Sequence, residues 1–201
     1  MGILKGRVTA SRFVVPGELP PSWREQYRSG IEKFSFREPG FPTKEQVRGW
    51  TRIDDMMESD FEDFNGWLLG DYLSLGLRVD KRTIPASKLR SEVKKKAKAW
   101  CEENGVKTCP KSIRDEFKEL VEDDLISRVL PKTKHIEFVW NLSTNIAYAS
   151  THSESDIDMI RQVFFRSFGR KLQPMSPLEW PLEKLGRDVF NELLNSQPLN
   201  L

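Results

Sequence analysis

Little in this chain could anchor a reaction. Its 201 residues include two cysteines and two histidines. Cys101 and Cys109 lie eight positions apart with no second Cys or His pair beside them, so they make no zinc ligand set on their own. Free thiols are expected here rather than a disulfide. His135 falls on a strand pattern and His152 beside a turn, where structural or surface roles are the usual ones. The phosphate-cradling patterns G-x-x-x-x-G-K-[ST] and G-x-G-x-x-G are missing, and so is the G-x-S-x-G elbow. No apolar run approaches the roughly 20 residues that cross a bilayer. The opening MGILKGRVTASRF has neither the long apolar region nor the cleavage site of a signal peptide. Gly2 is followed at position 6 by Gly6, where a myristoylation site wants Ser or Thr. Internal repeats and low-complexity segments are also missing. No cofactor, no metal and no membrane contact are expected, and the chain is read as a non-enzyme of the cytoplasm.

What is present is charge and aromatic bulk. Charged residues make up 31% of the chain and hydrophobic ones 38%, with six Trp and twelve Phe to build a core. The length suits one large domain or two small ones. Net charge is only +2, but the positive charge is concentrated. From Arg78 to Arg114 there are twelve Lys and Arg against four acids, Asp80, Glu92, Glu102 and Glu103. A local excess of this kind is the footprint of a polyanion partner.

That basic stretch has a readable shape. Pro85 disfavours helix at Ile84. Ser87 is then a candidate N-cap for a helix running to about Asn104-Gly105. Leu89, Val93, Ala97 and Trp100 make one narrow apolar stripe. Arg90, Lys94, Lys95 and Lys98 lie off it, so the helix should pack by one edge and present a broad cationic surface. Such a surface suits the phosphate backbone of DNA, whose counterions it releases whatever the sequence. The competing reading is an ordinary solvated lysine face, partly neutralised by the next helix. That helix follows Pro110, has Ile113, Phe117, Leu120, Val121 and Leu125 as its apolar face, and is acidic in the middle.

The rest of the chain alternates strands and helices. Residues 3–15 read as a first strand. Ser22 and Glu25 look like a capping box before a helix with Trp23, Tyr27 and Ile31 on one face. Gly49 to Ile53 is a short strand. The acidic stretch Asp54 to Asp63, interleaved with Met56, Met57, Phe61 and Phe64, reads as a solvated turn or short helix rather than a metal or partner site. Trp67 to Val79 is a strand region that can fold as a hairpin about a weak turn signal at Gly70-Asp71. Lys132 to Leu142 and Ile146 to Thr151 form a hairpin. Ser153 and Asp156 resemble a second cap, opening a helix that stops at Gly169. Leu172 to Pro177 is a last short strand, and Leu182 to Leu194 an amphipathic helix before a polar tail. The expected fold class is α+β, with largely antiparallel sheet, packed helices and one long basic helix.

At the basic helix the sequence resembles a known family. Arg82-Thr83-Ile84-Pro85-Ala86-Ser87-Lys88-Leu89 ahead of a Lys-rich helix is similar to the RdgC recombination-associated proteins. Pro110 to Glu116, the Leu125 to Arg128 step, a strand ending in Trp140, Ala149-Ser150-Thr151 before a helix, and Gly49-Trp50 upstream follow in the same order. The resemblance covers about residues 3–178. It implies sequence-independent binding of DNA, duplex and single-stranded, by a ring-shaped homodimer on the nucleoid that restrains recombinase-driven strand exchange. An exonuclease label is also attached to the family. Two departures stand out. The family's Leu-Leu-Pro-Arg-Ala-Phe step reads Leu125-Ile126-Ser127-Arg128-Val129-Leu130 here, and the family's last third is replaced by residues 177–201.

The expected organisation is therefore an RdgC-like region over 1–176, divisible near 80 into subdomains 1–80 and 81–176, then the C-terminal helix and tail over 177–201. The expected DNA contacts are Lys81, Arg82, Lys88, Arg90, Lys94, Lys95, Lys96 and Lys98, with Lys107, Lys111 and Arg114 as outer contacts. Two alternatives stand beside this. One is a metal-dependent nuclease using carboxylates of Asp54 to Asp63 or Glu116. The other is a module that docks on a recombinase or another protein factor through the Leu182 to Leu194 helix without touching DNA.

Overall fold

The computed structural model describes residues 9–175 together with Ile3 and Val189. Apart from Val189, the expected helix over 182–194 lies outside the described residues, as do most of residues 3–8.

The fold is α+β: the described residues form four α-helices and one seven-stranded sheet in which all strand pairs are antiparallel. The strands are β1 (Ser11–Val14), β2 (Val47–Thr51), β3 (Leu68–Leu69), β4 (Tyr72–Lys81), β5 (Lys132–Asn141), β6 (Ile146–Ala149) and β7 (Gln173–Pro174). The helices are α1 (Trp23–Lys33), α2 (Ala86–Glu103), α3 (Lys111–Arg128) and α4 (Glu154–Phe168). Strand order is β2-β4-β5-β6-β1-β7, with β3 on β4. Both hairpins read from the sequence form. Gly70, at φ +59°, turns β3 into β4, and residues 142–145 join β5 to β6.

Strand alternation decides which face is covered. Leu73, Leu75, Leu77 and Val79 of β4 lie in register with Trp140, Phe138, Ile136 and Lys134 of β5. Except for Lys134, these side chains are buried in one core with Trp50, Phe13, Ala147 and Ala149. α1 and α4 supply the other half of that core through Tyr27, Ile31, Ile160, Val163, Phe164 and Phe168. The aromatics stack edge-on or tilted; Phe164 and Phe168 lie 4.7 Å apart and Tyr27 and Phe168 5.0 Å apart.

Both sheet edges are blunted. Residues 34–36 run along β2, with Phe36 N–H donating to the Trp50 carbonyl and Trp50 N–H to that of Phe34. At the far edge, Pro174 gives β7 no second donor.

Ser22 and Ser153 stand at the N-cap positions of α1 and α4, as expected, but the capping bonds are corrected. Ser22, Ser87 and Ser153 make no capping hydrogen bond through their side chains. The Ser22 hydroxyl accepts instead from Gln26. Pro85, not Ser87, holds the cap position of α2, because its fixed φ places its carbonyl to accept from Leu89 N–H. Asp156 is drawn away from the cap by Lys134 and by the Thr151 hydroxyl. At the other end of α4, Gly169 adopts the left-handed cap (φ +66°) that the sequence signals.

Candidate nucleic-acid interface

α2 and α3 are inserted between β4 and β5 as an antiparallel helical hairpin joined by residues 104–110. None of the residues of α2 is buried, and α3 buries only Val121, Leu125 and Ile126, all in its second half. The hairpin is thus held at its root and open along its length. Leu120, expected on the apolar face of α3, is 59% exposed. An 18-residue helix is about 27 Å long, enough to follow several phosphates of one duplex strand.

Two groups pin the root. The Arg82 guanidinium bonds the Val129 carbonyl, tying the entry of α2 to the exit of α3. Lys44, from the loop before β2, reaches Glu122 at 2.8 Å and Asp123 at 3.3 Å. Those contacts, Glu122 first, hold the Lys44 amine above its ordinary range. At the tip, Asn104 caps α2 through its side-chain amide on the Trp100 carbonyl (2.8 Å), and Arg114 bonds the Cys109 carbonyl (3.0 Å). Cys101 and Cys109 are free thiols, as expected.

Of the expected contact residues, Lys81, Lys88, Arg90, Lys94, Lys95, Lys96, Lys98, Lys107, Lys111 and Arg114 are exposed, while Arg82 is half-buried in its structural bond. The question left by the sequence was whether acidic α3 neutralises basic α2. Among the described residues no ion pair joins the two helices. Of the acids of α3, Glu122 and Asp123 pair with Lys44, Glu122 also with Lys118, and Asp124 with Arg128. Within α2, Glu92 takes Lys88 and Lys95, each at 3.1 Å, and Glu102 takes Lys98 at 3.6 Å. The hydrogen bonds from Lys95 and Lys88 hold the Glu92 carboxyl below its ordinary range. Arg90, Lys94, Lys96, Lys107 and Lys111 have no ion-pair partner among the described residues.

Between the helices runs a groove of about 660 Å³. Leu89, Val93 and Ala97 form its floor. Arg90, Lys94, Lys98, Lys107, Arg114 and Lys118 rise along its sides, with Asp115 the single acid. This gathers five of the expected residues at one place and leaves Lys88, Lys95, Lys96 and Lys111 off the groove. Lys118 was missed by the sequence reading, because it sits in an acidic helix. Lys132 and Lys134 were missed as well, although their spacing of two on a strand puts both on one face.

The acidic stretch is used otherwise. Asp55, Glu58, Asp60 and Asp63 each accept a backbone N–H two residues on, from Met57, Asp60, Glu62 and Asn65. These are local turn-forming bonds. Asp54 pairs with Arg52, which holds its carboxyl below the ordinary range. Among the described residues no cluster of three or more His, Cys, Asp or Glu is arranged to hold a metal ion. No helix among them is long and apolar enough to cross a membrane.

A search of curated proteins finds no match. A family model described as "Putative exonuclease, RdgC" matches residues 20–186, which takes in the hairpin, its root and most of the sheet. This chain belongs to the RdgC family.

Proposed function

We propose that this protein binds DNA without regard to sequence through α2 and the α2–α3 groove, and by occupying DNA restrains a recombinase. Membership in the RdgC family implies a recombination-associated role. The observation that carries the finer reading is that no acid of α3 pairs with a cation of α2, and that Arg90, Lys94 and Lys96 have no ion-pair partner among the described residues. Arg90 and Lys94 line an open groove with no counter-charge except Asp115. Lys and Arg in that state bind phosphates by releasing counterions, which gives affinity without base readout. No cofactor is invoked, and nucleoid association in the cytoplasm follows from the same contact.

A homodimer belongs to this reading. One hairpin reaches few phosphates, while two related by a twofold axis double the count. Leu120 and Leu130, 59% and 85% exposed, are apolar surface that a second copy could cover.

The test is binding to unrelated duplexes and single strands across a salt series. With six to ten phosphate contacts, affinity should fall about 10³–10⁵-fold between about 50 and 200 mM salt. A flat salt response, or no binding at low salt, ends the proposal. Light scattering with and without a short duplex tests the dimer; a monomer in both states removes it.

The family description favours a second reading, a nuclease. Incubating labelled DNA with magnesium or manganese separates the two. Intact substrate at high protein concentration is expected here. Metal-dependent shortening that chelation abolishes would put the nuclease reading first.

A further inference from the structure

Lys81 ends β4 and Lys132 begins β5, and the register places them directly opposite each other. Two positions along, Lys134 stands opposite Val79 on the same face. All three belong to the helix-side face, but beyond the point where apolar side chains fill it. There they line a cleft of about 440 Å³ with Thr83, Gln46 and the first turn of α4. Like charges directly opposed on neighbouring strands are destabilising. Lys134 is satisfied by Asp156, the one acid lining the cleft, which also takes the Thr151 hydroxyl. Glu154 heads α4 but does not line the cleft. Lys81 and Lys132 are exposed and have no ion-pair partner among the described residues.

We propose that this cleft is a second phosphate site, with Lys81 and Lys132 as the two arms that hold the anion and Lys134, fixed by Asp156, as the charge behind them. The repulsion between the opposed ammonium groups is relieved when one phosphate sits between them, so the pair is costly empty and favourable occupied. The ligand is a phosphate group: a backbone phosphate of DNA, or free phosphate. Lys81 lies five residues before the start of α2, so on the DNA source the cleft extends the cationic surface of the hairpin onto the end of the sheet. That source rests on the DNA-binding reading above.

The experiment compares the wild-type chain with two double variants, Lys81→Gln/Lys132→Gln and Lys94→Gln/Lys98→Gln. Each is titrated with unrelated duplexes over a salt series, and its Tm is recorded without DNA. The sheet-end variant should weaken binding equally across sequences and lower the salt slope by about 2. Its Tm should equal or exceed that of the wild type, which shows that it is folded and that a repulsion has been removed. A parallel titration of the wild-type chain with inorganic phosphate follows the amide resonances of Lys81, Thr83 and Lys132. Saturable shifts there, with an unchanged DNA slope, assign the site to free phosphate. An unchanged slope together with no saturable shift overturns the site. If Lys94→Gln/Lys98→Gln still weakens DNA binding in that case, the DNA-binding reading stands without it. If the wild-type chain does not bind DNA at all, that reading falls, and the phosphate titration alone supports or overturns the cleft.

Discussion

The indole N–H of Trp50 donates to the hydroxyl of Ser167, 2.8 Å away, across the buried layer between β2 and α4. The same residue of α4 also sets the distance to α1. A Cβ at Gly30 would fall 1.9 Å from the Ser167 carbonyl oxygen, so α1 can approach only because position 30 has no side chain.

Both contacts can be broken separately. Ser167→Ala leaves the indole N–H buried and unpaired, at a cost of about 1–3 kcal/mol. Gly30→Ala forces the helices apart and costs about 1–3 kcal/mol or more. Urea unfolding should show a lower midpoint with an unchanged slope for each. Wild-type stability in Gly30→Ala would show that the helix pair is not held at this distance.

A second close approach lies on the opposite face of the sheet. A Cβ at Gly76 would come 1.9 Å from His135 Nε2 and 2.8 Å from the Arg52 carbonyl oxygen. Burial pushes the His135 imidazole below its ordinary pKa of 6.5, against smaller opposing pulls from the Arg52 carbonyl, Glu137 and Asp55. The folded chain therefore takes up its proton at lower pH than the unfolded chain does. Stability should be unaffected by this group above about 6.5 and should fall as pH drops from there toward the folded value. His135→Gln should flatten that part of the profile in thermal unfolding from pH 7.5 to 5, and an unaltered profile would assign the dependence to other groups.

Arg78 and Asp80, two residues apart on β4, form a buried two-point ion pair at 3.1 and 2.8 Å. The guanidinium also stacks on the Phe36 ring, 4.1 Å from its centroid. Burial pushes the Asp80 carboxyl up, but the Arg78 and Thr133 hydrogen bonds outweigh it and the net shift is downward. The pair thus contributes fully above the ordinary carboxyl value of 3.8 and is lost as pH falls through the lower folded value. Asp80→Asn removes the two-point partner of a buried cation, leaving it only Glu38 at 3.6 Å, and should cost about 3 kcal/mol. Arg78→Lys should also destabilise, because an ammonium can neither bond both oxygens nor stack as a plane. Equal stability of Arg78→Lys and wild type in denaturant would refute the stacking part.

Glu92 occupies Lys88 and Lys95 of α2 at once. Glu92→Gln should free both amines and remove one negative charge from the cationic surface. DNA binding should tighten and the salt slope should steepen by up to about 2. Weaker binding in this variant would mean that the pairing presents the lysines rather than competing for them.

Much of the fold was legible locally. The limits of α2 and α3, the hairpins at Gly70 and at 142–145, and the stop at Gly169 follow from proline, glycine and apolar spacing. Those signals act within a few residues, so they survive whatever packs around them. The side-chain capping bonds failed for the converse reason, although Ser22 and Ser153 hold their N-cap positions. A hydroxyl or carboxylate near a helix start bonds whichever partner is nearest, and Ser22 and Asp156 have nearer ones. The exposure of Leu120 shows that apolar spacing tells which side of a helix could pack, not how far along it packing extends.

The sequence by itself determined that positive charge is concentrated on one helix and that no nucleotide-loop or nucleophile motif accompanies it. It also supplied the order of segments that marks the family. Only the tertiary structure decided whether that charge is free. Acidic α3 lies beside basic α2, yet among the described residues none of its carboxylates pairs with α2, and Glu122, Asp123 and Asp124 turn to Lys44, Lys118 and Arg128, because ion pairing depends on the rotation of each helix about its axis and on what the root loop supplies. It alone also brought Lys132 opposite Lys81 across the whole α2–α3 insertion. Periodicity gives the face on which a side chain stands, but strand register sets its neighbour, and register comes from the shared core of β4 and β5.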